Sequence, residues 1–442
     1  MGCGDSTDGG SSSWLRMRSL LLGERSWPYY SVLILATYAF VLGLWARLYR
    51  LGFPTQRVFD EIYFPIDARS YLQGVGFFDP HPPLGKFIIA ISIAALGDNP
   101  VGWRLMPALF GCAMIGLGAV LGWYFTKQMV GALLMGAFVA AETIFIAYSR
   151  TGLLDGMLAF FVMATMLLAL WAQTRKQVIW VAVLLGLTIS IKWAALPVAL
   201  PAGYLLWRKG LLRQFVGDLY VSAIIYLLIV YVGQLIRPTG GGERLVEAHG
   251  LEALWNSWVL LWEWHLQALR NVSMSVPHPE ASPWWSWPLM LQPIHLFTRV
   301  DARGFAILAW AIGNPVLWWS STLAIILSFF EIVRRKFTAK TPIADHPLLP
   351  VLMGYLFLLL PWVLSSRIPF IYNYFPSYVF ALLALVYWSC QIWKHEPWGP
   401  WLVVALAACV SASAGYFLPM TIGLPMSVEN MQDHMWLEAW RD

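Results

Sequence analysis

Eleven apolar runs punctuate this 442-residue chain, most of them near the roughly 20 residues a helix needs to cross about 30 Å of hydrocarbon. They lie at 30–48, 103–124, 129–148, 153–172, 178–190, 193–207, 216–236, 314–333, 348–364, 370–388 and 400–418. Hydrophobic residues make up 59% of the chain and charged residues only 12%, against about a quarter charged in soluble domains. The pattern predicts an all-α polytopic membrane protein with about eleven transmembrane helices. A transmembrane barrel would instead show alternating strands of about ten residues.

Loop charge orients the spans. Arg16, Arg18 and Arg25 precede the first run and place the N-terminus in the cytoplasm. Counting on from there collects Lys127, Arg175, Lys176, Arg208, Lys209, Arg213, Arg334, Arg335, Lys336, Lys340 and Lys394 on the same side. Arg150, Lys192, Arg237 and Arg367 fall opposite. Merging the short runs 178–190 and 193–207 into one span would move the Arg208–Arg213 cluster outside, so the two are kept separate. The expected organisation is a disordered tail over 1–28, a first membrane region over 29–236 with an external loop at 49–102, an external loop region over 237–313, and a second membrane region over 314–442. The segment "FIIAISIAALG" in the first loop is too short to cross and reads as interfacial or re-entrant.

A net charge of +5 with no basic tract gives no nucleic-acid footprint. The four cysteines, Cys3, Cys112, Cys390 and Cys409, form neither a disulfide framework nor a metal-ligand spacing. No glycine-rich phosphate loop is present.

The polar chemistry concentrates on the non-cytoplasmic loops. Asp60 and Glu61 sit among Phe59, Ile62, Tyr63 and Phe64, and an apolar setting raises a carboxylate's pKa toward that of a base for an attacking hydroxyl. An ordinary wet acidic loop is the plainer reading of the pair alone. Asp79 and "HPPLGK", with His81 and Lys86, form a rigid entry to a helix whose start suits a phosphate. Arg104 opens a span, where a snorkelling anchor is the alternative. Arg150 and Asp155 bracket another span and are placed to pair with each other. Lys192 falls between two apolar runs, and Arg367 precedes Tyr372 and Tyr374. Glu263, His265, Arg270, His278 and Glu280 match no zinc spacing and read as loop chemistry or packing.

In order and spacing, "FDEIYF", "FFDPHPPLGK", "WRLMPALFG", "SRTGLLDGML", "GLTISIKWAALP" and "RIPFIYNYFPSYVF" resemble the protein O-mannosyltransferase family of GT-C glycosyltransferases. The resemblance runs from about Phe59 to the last span. It implies mannose transfer from a polyprenyl-phosphate-mannose donor to Ser/Thr hydroxyls of translocated proteins, by one inverting displacement at the extracytoplasmic face of the cell membrane. It implies Asp60 as the base or hydroxyl-positioning carboxylate with Glu61 beside it, and His81, Lys86, Arg104, Arg367 and Tyr372 at the donor's phosphate and sugar. Asp79, Arg150, Asp155 and Lys192 are further candidates. No cofactor is required; a divalent metal beside Asp60 and Glu61 is compatible with the pair but not indicated. The secretion translocon is the expected partner that delivers the acceptor. The family's eukaryotic members carry a β-trefoil domain in the central external loop, for which 237–313 is too short, so the chain looks like a compact bacterial-type member. A transferase acting on a lipid or glycan, or a flippase, is the competing expectation.

Overall fold

The computed structural model describes residues 26–77, 81–236, 250–270, 278–338, 342–365 and 368–441. The expected tail at 1–28 lies almost wholly outside the described residues, as do Asp79 and Arg367. Among the described residues, six helices are long and apolar enough to cross a membrane by length and composition. They are α1 (Trp27–Leu48), α4 (Pro100–Thr126), α10 (Leu212–Ile236), α12 (Pro315–Thr338), α14 (Phe375–His395, extended as a span from Ile371) and α15 (Gly399–Ile422). A seventh span arises if α5 (Met129–Ala141) and α6 (Thr143–Ser149), bent by 60° at their join, count as one.

The other expected spans form shorter helices. They are α7 (Asp155–Trp171), α8 (Arg175–Ile189), α9 (Ala199–Arg208) and α13 (Leu348–Val363). At about 1.5 Å per residue, the 17 residues of α7 reach short of the hydrocarbon thickness. Length and composition therefore support six or seven spans. In the first loop α2 (Phe64–Gln73) precedes α3 (Leu84–Leu96), whose 13 residues hold the segment read as too short to span.

Glycines set the closest helix approach. A Cβ on Gly122 of α4 would sit 2.4 Å from the Gly131 carbonyl oxygen of α5, so the two backbones touch as small-residue interfaces allow.

The α5–α6 break has a named cause. Glu142 leaves the helical conformation and caps α6 with Oε1, which accepts from the Ile144 amide at 3.3 Å and the Asn314 amide at 2.8 Å. Its Oε2 accepts a short hydrogen bond from the Tyr378 hydroxyl. Asn314 in turn donates to the Ala141 and Val410 carbonyls at 3.2 and 2.9 Å. One fully buried carboxylate thus joins three segments distant in sequence, and Asn314 ties in a fourth at Val410. Glu142→Ala removes a charged acceptor from three donors, so it is expected to cost on the order of 3 kcal/mol. A fall in the melting temperature of the detergent-solubilised protein measures this.

One element departs from the all-helical expectation. Beyond α11 (Leu251–Arg270), β1 (Ile294–Val300) and β2 (Phe305–Ala311) form an antiparallel hairpin. A two-residue β3 (Met426–Ser427) extends it on the β2 side, before α16 (Val428–Asp433). The turn is built by Asp301, whose Oδ1 accepts from the Arg303 and Phe305 amides, and by Gly304 at φ +81°. Glycine is the residue that adopts this left-handed backbone without strain.

Candidate active site

Arg104 and Glu61 form the clamp that shapes the first loop. Arg104 Nε and Nη2 donate to Glu61 Oε1 and Oε2, each at 2.7 Å, and both side chains are fully buried. Nη1 donates to the Leu51 and Pro54 carbonyls at 3.3 and 2.7 Å, and Nη2 to Gln56 at 3.1 Å. All five guanidinium N–H groups are therefore engaged. Glu61 also accepts from the Val58 and Gly152 amides at 3.1 and 2.7 Å.

This corrects two expectations. Arg104 does not face a donor phosphate, because its guanidinium is buried and saturated by the loop. Glu61 is equally committed and takes no substrate proton; it holds the turn that carries Asp60. The bidentate fork explains why arginine stands there, since it matches a carboxylate and three carbonyls in one plane.

Asp60 is the half-exposed member of the pair, in the 3-10 turn Phe59–Ile62. Phe59 adopts φ +48°, a conformation that is strained for a bulky residue and persists where its surroundings over-determine it. Those surroundings are the rings of His278, Phe370 and Tyr372, at centroid distances of 5.9, 5.6 and 6.1 Å. The Phe59 ring thereby packs on Phe370 and Tyr372, two residues that line a cavity.

That cavity, about 340 Å³, has two characters. Trp193, Leu196, Pro197, Trp362 and Phe370 give it an apolar side, and His81, Asp155, Lys192, Tyr372 and Asn373 a polar one. Lys192 Nζ donates to Asp155 Oδ1 and Oδ2 at 3.0 and 2.9 Å, with both side chains nearly buried. Its charge also lies 5.0 Å from the Tyr372 ring centroid and 5.7 Å from that of Phe64, a favourable cation–π setting. Asp155 opens α7, where the helix dipole favours a carboxylate. The structure thus brings together His81, Asp155, Lys192 and Tyr372, and pairs Asp155 with Lys192 in preference to Arg150.

Two expected cations lie elsewhere. Lys86 is fully buried and donates to the His81 carbonyl at 2.8 Å, so it supports the cavity wall from behind. Arg150 donates to the Ala46 and Tyr49 carbonyls, both at 2.6 Å, and to Arg50 at 3.3 Å. These are the orphan carbonyls at the end of α1, where a cation is favoured by the dipole.

Sequence reading passed over several buried polar groups. Arg47 is fully buried in α1 and donates to the Gly43, Val139 and Ala140 carbonyls. Glu142 lies at the α5–α6 break. An ionisable residue inside an apolar run is itself a signal, and both Arg47 and Glu142 carry it. The Trp362 indole N–H, on the cavity wall, has no partner among the described residues. Glu280 and His295, on the outer loop, form a pair at 3.1 Å. Burial pushes the Glu280 carboxyl up, but hydrogen bonds from His295 and its charge, aided by His278, outweigh this and hold it below the usual range. Among the described residues no three His, Cys, Asp or Glu side chains gather as a metal site.

A helical membrane body, a carboxylate on the first loop, and a half-apolar, half-polar cavity whose wall packs on the neighbouring Phe59 fit a membrane-embedded glycosyltransferase of the GT-C class. Comparison with known proteins agrees. The family described as dolichyl-phosphate-mannose-protein mannosyltransferase matches residues 37–103 and 94–236. The C-terminal four-transmembrane region of protein O-mannosyltransferase matches 244–440. The polyprenol-phosphate-mannose–protein mannosyltransferase of Mycobacterium tuberculosis is 25% identical, over 87% of this chain and 86% of its own. The Saccharomyces cerevisiae Pmt1–Pmt2 complex bound to the sugar donor superposes with a TM-score of 0.77, at 16% identity, covering 96% of this chain and 94% of that one. ArnT from Cupriavidus metallidurans bound to undecaprenyl phosphate gives a TM-score of 0.50 at 14% identity, covering 90% and 76%. The chain belongs to the protein O-mannosyltransferase family.

Proposed function

We propose that the protein transfers mannose from a polyprenyl-phosphate carrier to Ser or Thr hydroxyls of polypeptides crossing the cell membrane. The observation that carries the reading is the cavity whose lining residues Phe370 and Tyr372 pack on Phe59, the neighbour of Asp60. Its apolar side suits an isoprenoid chain, and Lys192 and His81 suit the phosphate. The Trp362 N–H is a further donor for a ligand oxygen there. The identity of the mycobacterial relative supports the donor and acceptor classes.

The step follows from these groups. The acceptor hydroxyl oxygen bonds to the anomeric carbon as the bond from that carbon to the phosphate oxygen breaks. The electron pair leaves on the phosphate, where Lys192 stabilises the developing charge. The hydroxyl proton passes to Asp60. A single displacement inverts the anomeric centre, and the products are the glycosylated chain and polyprenyl phosphate. Nothing in this step calls for a nucleotide, metal or other cofactor.

The topology that goes with this chemistry puts the N-terminus in the cytoplasm and the site on the extracytoplasmic face of the plasma membrane, next to the translocon that delivers the acceptor. Catalysis then resides in 29–236, with 314–442 as the second membrane region and 237–313 between them. The separate family matches, to 37–236 and to 244–440, support a boundary near 237, and the second match takes in the residues on both sides of 313.

Membranes carrying the protein, given labelled polyprenyl-phosphate mannose and a Ser/Thr-rich peptide, should label the peptide. Label appearing only in lipid or glycan would defeat the protein-acceptor reading. Lys192→Gln keeps a hydrogen bond to Asp155 but removes the cation, so kcat/KM for the donor should fall by about tenfold to a hundredfold. The KM for the peptide should stay within a few-fold.

A further inference from the structure

A second cavity, about 530 Å³, has no place in the step above. One wall is a face of the β1–β2 hairpin. His295 and Trp310 are partners across the ladder, with ring centroids 3.9 Å apart, and the Trp310 indole N–H donates to Thr298 Oγ1 at 2.8 Å. The bulge between His295 and Phe297 adds a residue to β1 and so brings Thr298 onto the same face as His295. The opposite wall is the C-terminal segment, with Met431 and Gln432 on α16, then Met435 and Arg441.

The lining narrows the occupant. It holds no carboxylate, and its one guanidinium, Arg441, is exposed with no hydrogen-bond or ion partner among the described residues. The cavity therefore favours an anion. Met431 and Met435 are unbranched and adaptable, which suits a ligand whose neighbouring groups vary. Trp310 offers no open platform for a sugar ring, because it is only 5% exposed and packs against His295.

Contacts tie this cavity to the turn that carries Asp60. His295 lines it and pairs through Nδ1 with Glu280 Oε1 at 3.1 Å. The Glu280 amide donates to His278 Nδ1 at 3.1 Å, and the His278 ring packs on Phe59 at 5.9 Å. A second link joins Phe297 of β1 to Phe53 at 5.5 Å, beside the Pro54 carbonyl that Arg104 holds. Through these contacts the cavity lies on the order of 20 Å from Asp60, about six residues of extended chain at ~3.3 Å each. The first cavity accounts for the donor. The acceptor polypeptide is the reactant for which Asp60 alone is assigned, and a chain threaded past Asp60 reaches this far.

We propose that the second cavity is an acceptor subsite, which takes an acidic side chain of the polypeptide near the modified Ser or Thr and sets its carboxylate against Arg441. The proposal rests on the protein-acceptor reading above. An exposed guanidinium contributes a modest preference, and the methionine wall tolerates varied neighbours, so the subsite biases which hydroxyls are modified.

The test uses the full-length protein in membranes, polyprenyl-phosphate mannose, and peptides with one acceptor Thr. A single Asp is moved through about eight positions on either side of the Thr, and each peptide is compared with its Asn counterpart. In wild type, Asp should lower the peptide KM about threefold to tenfold relative to Asn at one or two neighbouring positions, and nowhere else. Arg441→Gln should bring that ratio to near one, and Arg441→Glu should invert it. A flat wild-type scan on peptides that are themselves mannosylated would overturn the subsite while leaving the function standing. So would a preference that survives in Arg441→Gln. If Arg441→Gln instead loses activity equally with every peptide, and in proportion to the phosphatidylglycerol content of reconstituted vesicles, the cavity serves a lipid headgroup and the acceptor assignment is wrong. If wild type labels no peptide at all, the function itself fails and the subsite falls with it.

Discussion

Asp60→Asn should all but abolish transfer while leaving the protein folded, with kcat lower by about a thousandfold. A positioned base contributes typically 10²–10⁴-fold, and asparagine is nearly the same size but takes up no proton. The clamp that shapes the loop survives the substitution, because Glu61, not Asp60, satisfies Arg104 and the amides of Val58 and Gly152. Initial rates with saturating donor and peptide, set beside the melting temperature of the same preparation, separate the two effects. A rate within a few-fold of wild type would remove Asp60 from the mechanism. A collapse in melting temperature would show instead that Asp60 supports the loop.

Arg104→Ala is the second large effect, and it falls on a different quantity. Removing one partner of a buried ion pair typically costs 3–5 kcal/mol, because the other charge is left buried and alone. Here Glu61 would keep its two amide donors but lose both charged ones, and the Leu51, Pro54 and Gln56 carbonyls would lose theirs. The yield of folded protein and its melting temperature should fall sharply. Arg104→Lys should rescue only part of the loss, since an ammonium has three donors and no planar fork. Whatever protein remains folded should bind donor with nearly the wild-type KM. A large rise in donor KM at an unchanged melting temperature would instead return Arg104 to the phosphate.

That contrast shows where sequence reading stopped. The "FDEIYF" and "WRLMP" stretches point to chemistry, and the residues are the right ones to notice. Their pairing is not legible, because Glu61 and Arg104 are 43 positions apart and nothing local states that one is spoken for by the other. Lys86 and Arg150 each sit in a suggestive motif, yet Arg150 is taken up by three backbone carbonyls and Lys86, fully buried, donates to the His81 carbonyl. Lys192, a lesser candidate by its motif, is the cation that reaches the cavity.

What the chain alone determined is what depends on local composition. Apolar length follows from the thickness of hydrocarbon, so the helical membrane body was readable, and so was the gathering of polar chemistry in the loops. The order of motifs was enough to place the family. Tertiary structure decided which of those charges remain available. Burial makes an unpaired charge costly, so Arg104, Arg150 and Lys192 are each matched by packing to partners tens of residues away. Among the described residues, Asp155 with Lys192, His81 and Tyr372 line the cavity, and Asp60 stands half-exposed on the first loop; these are placed to meet a substrate.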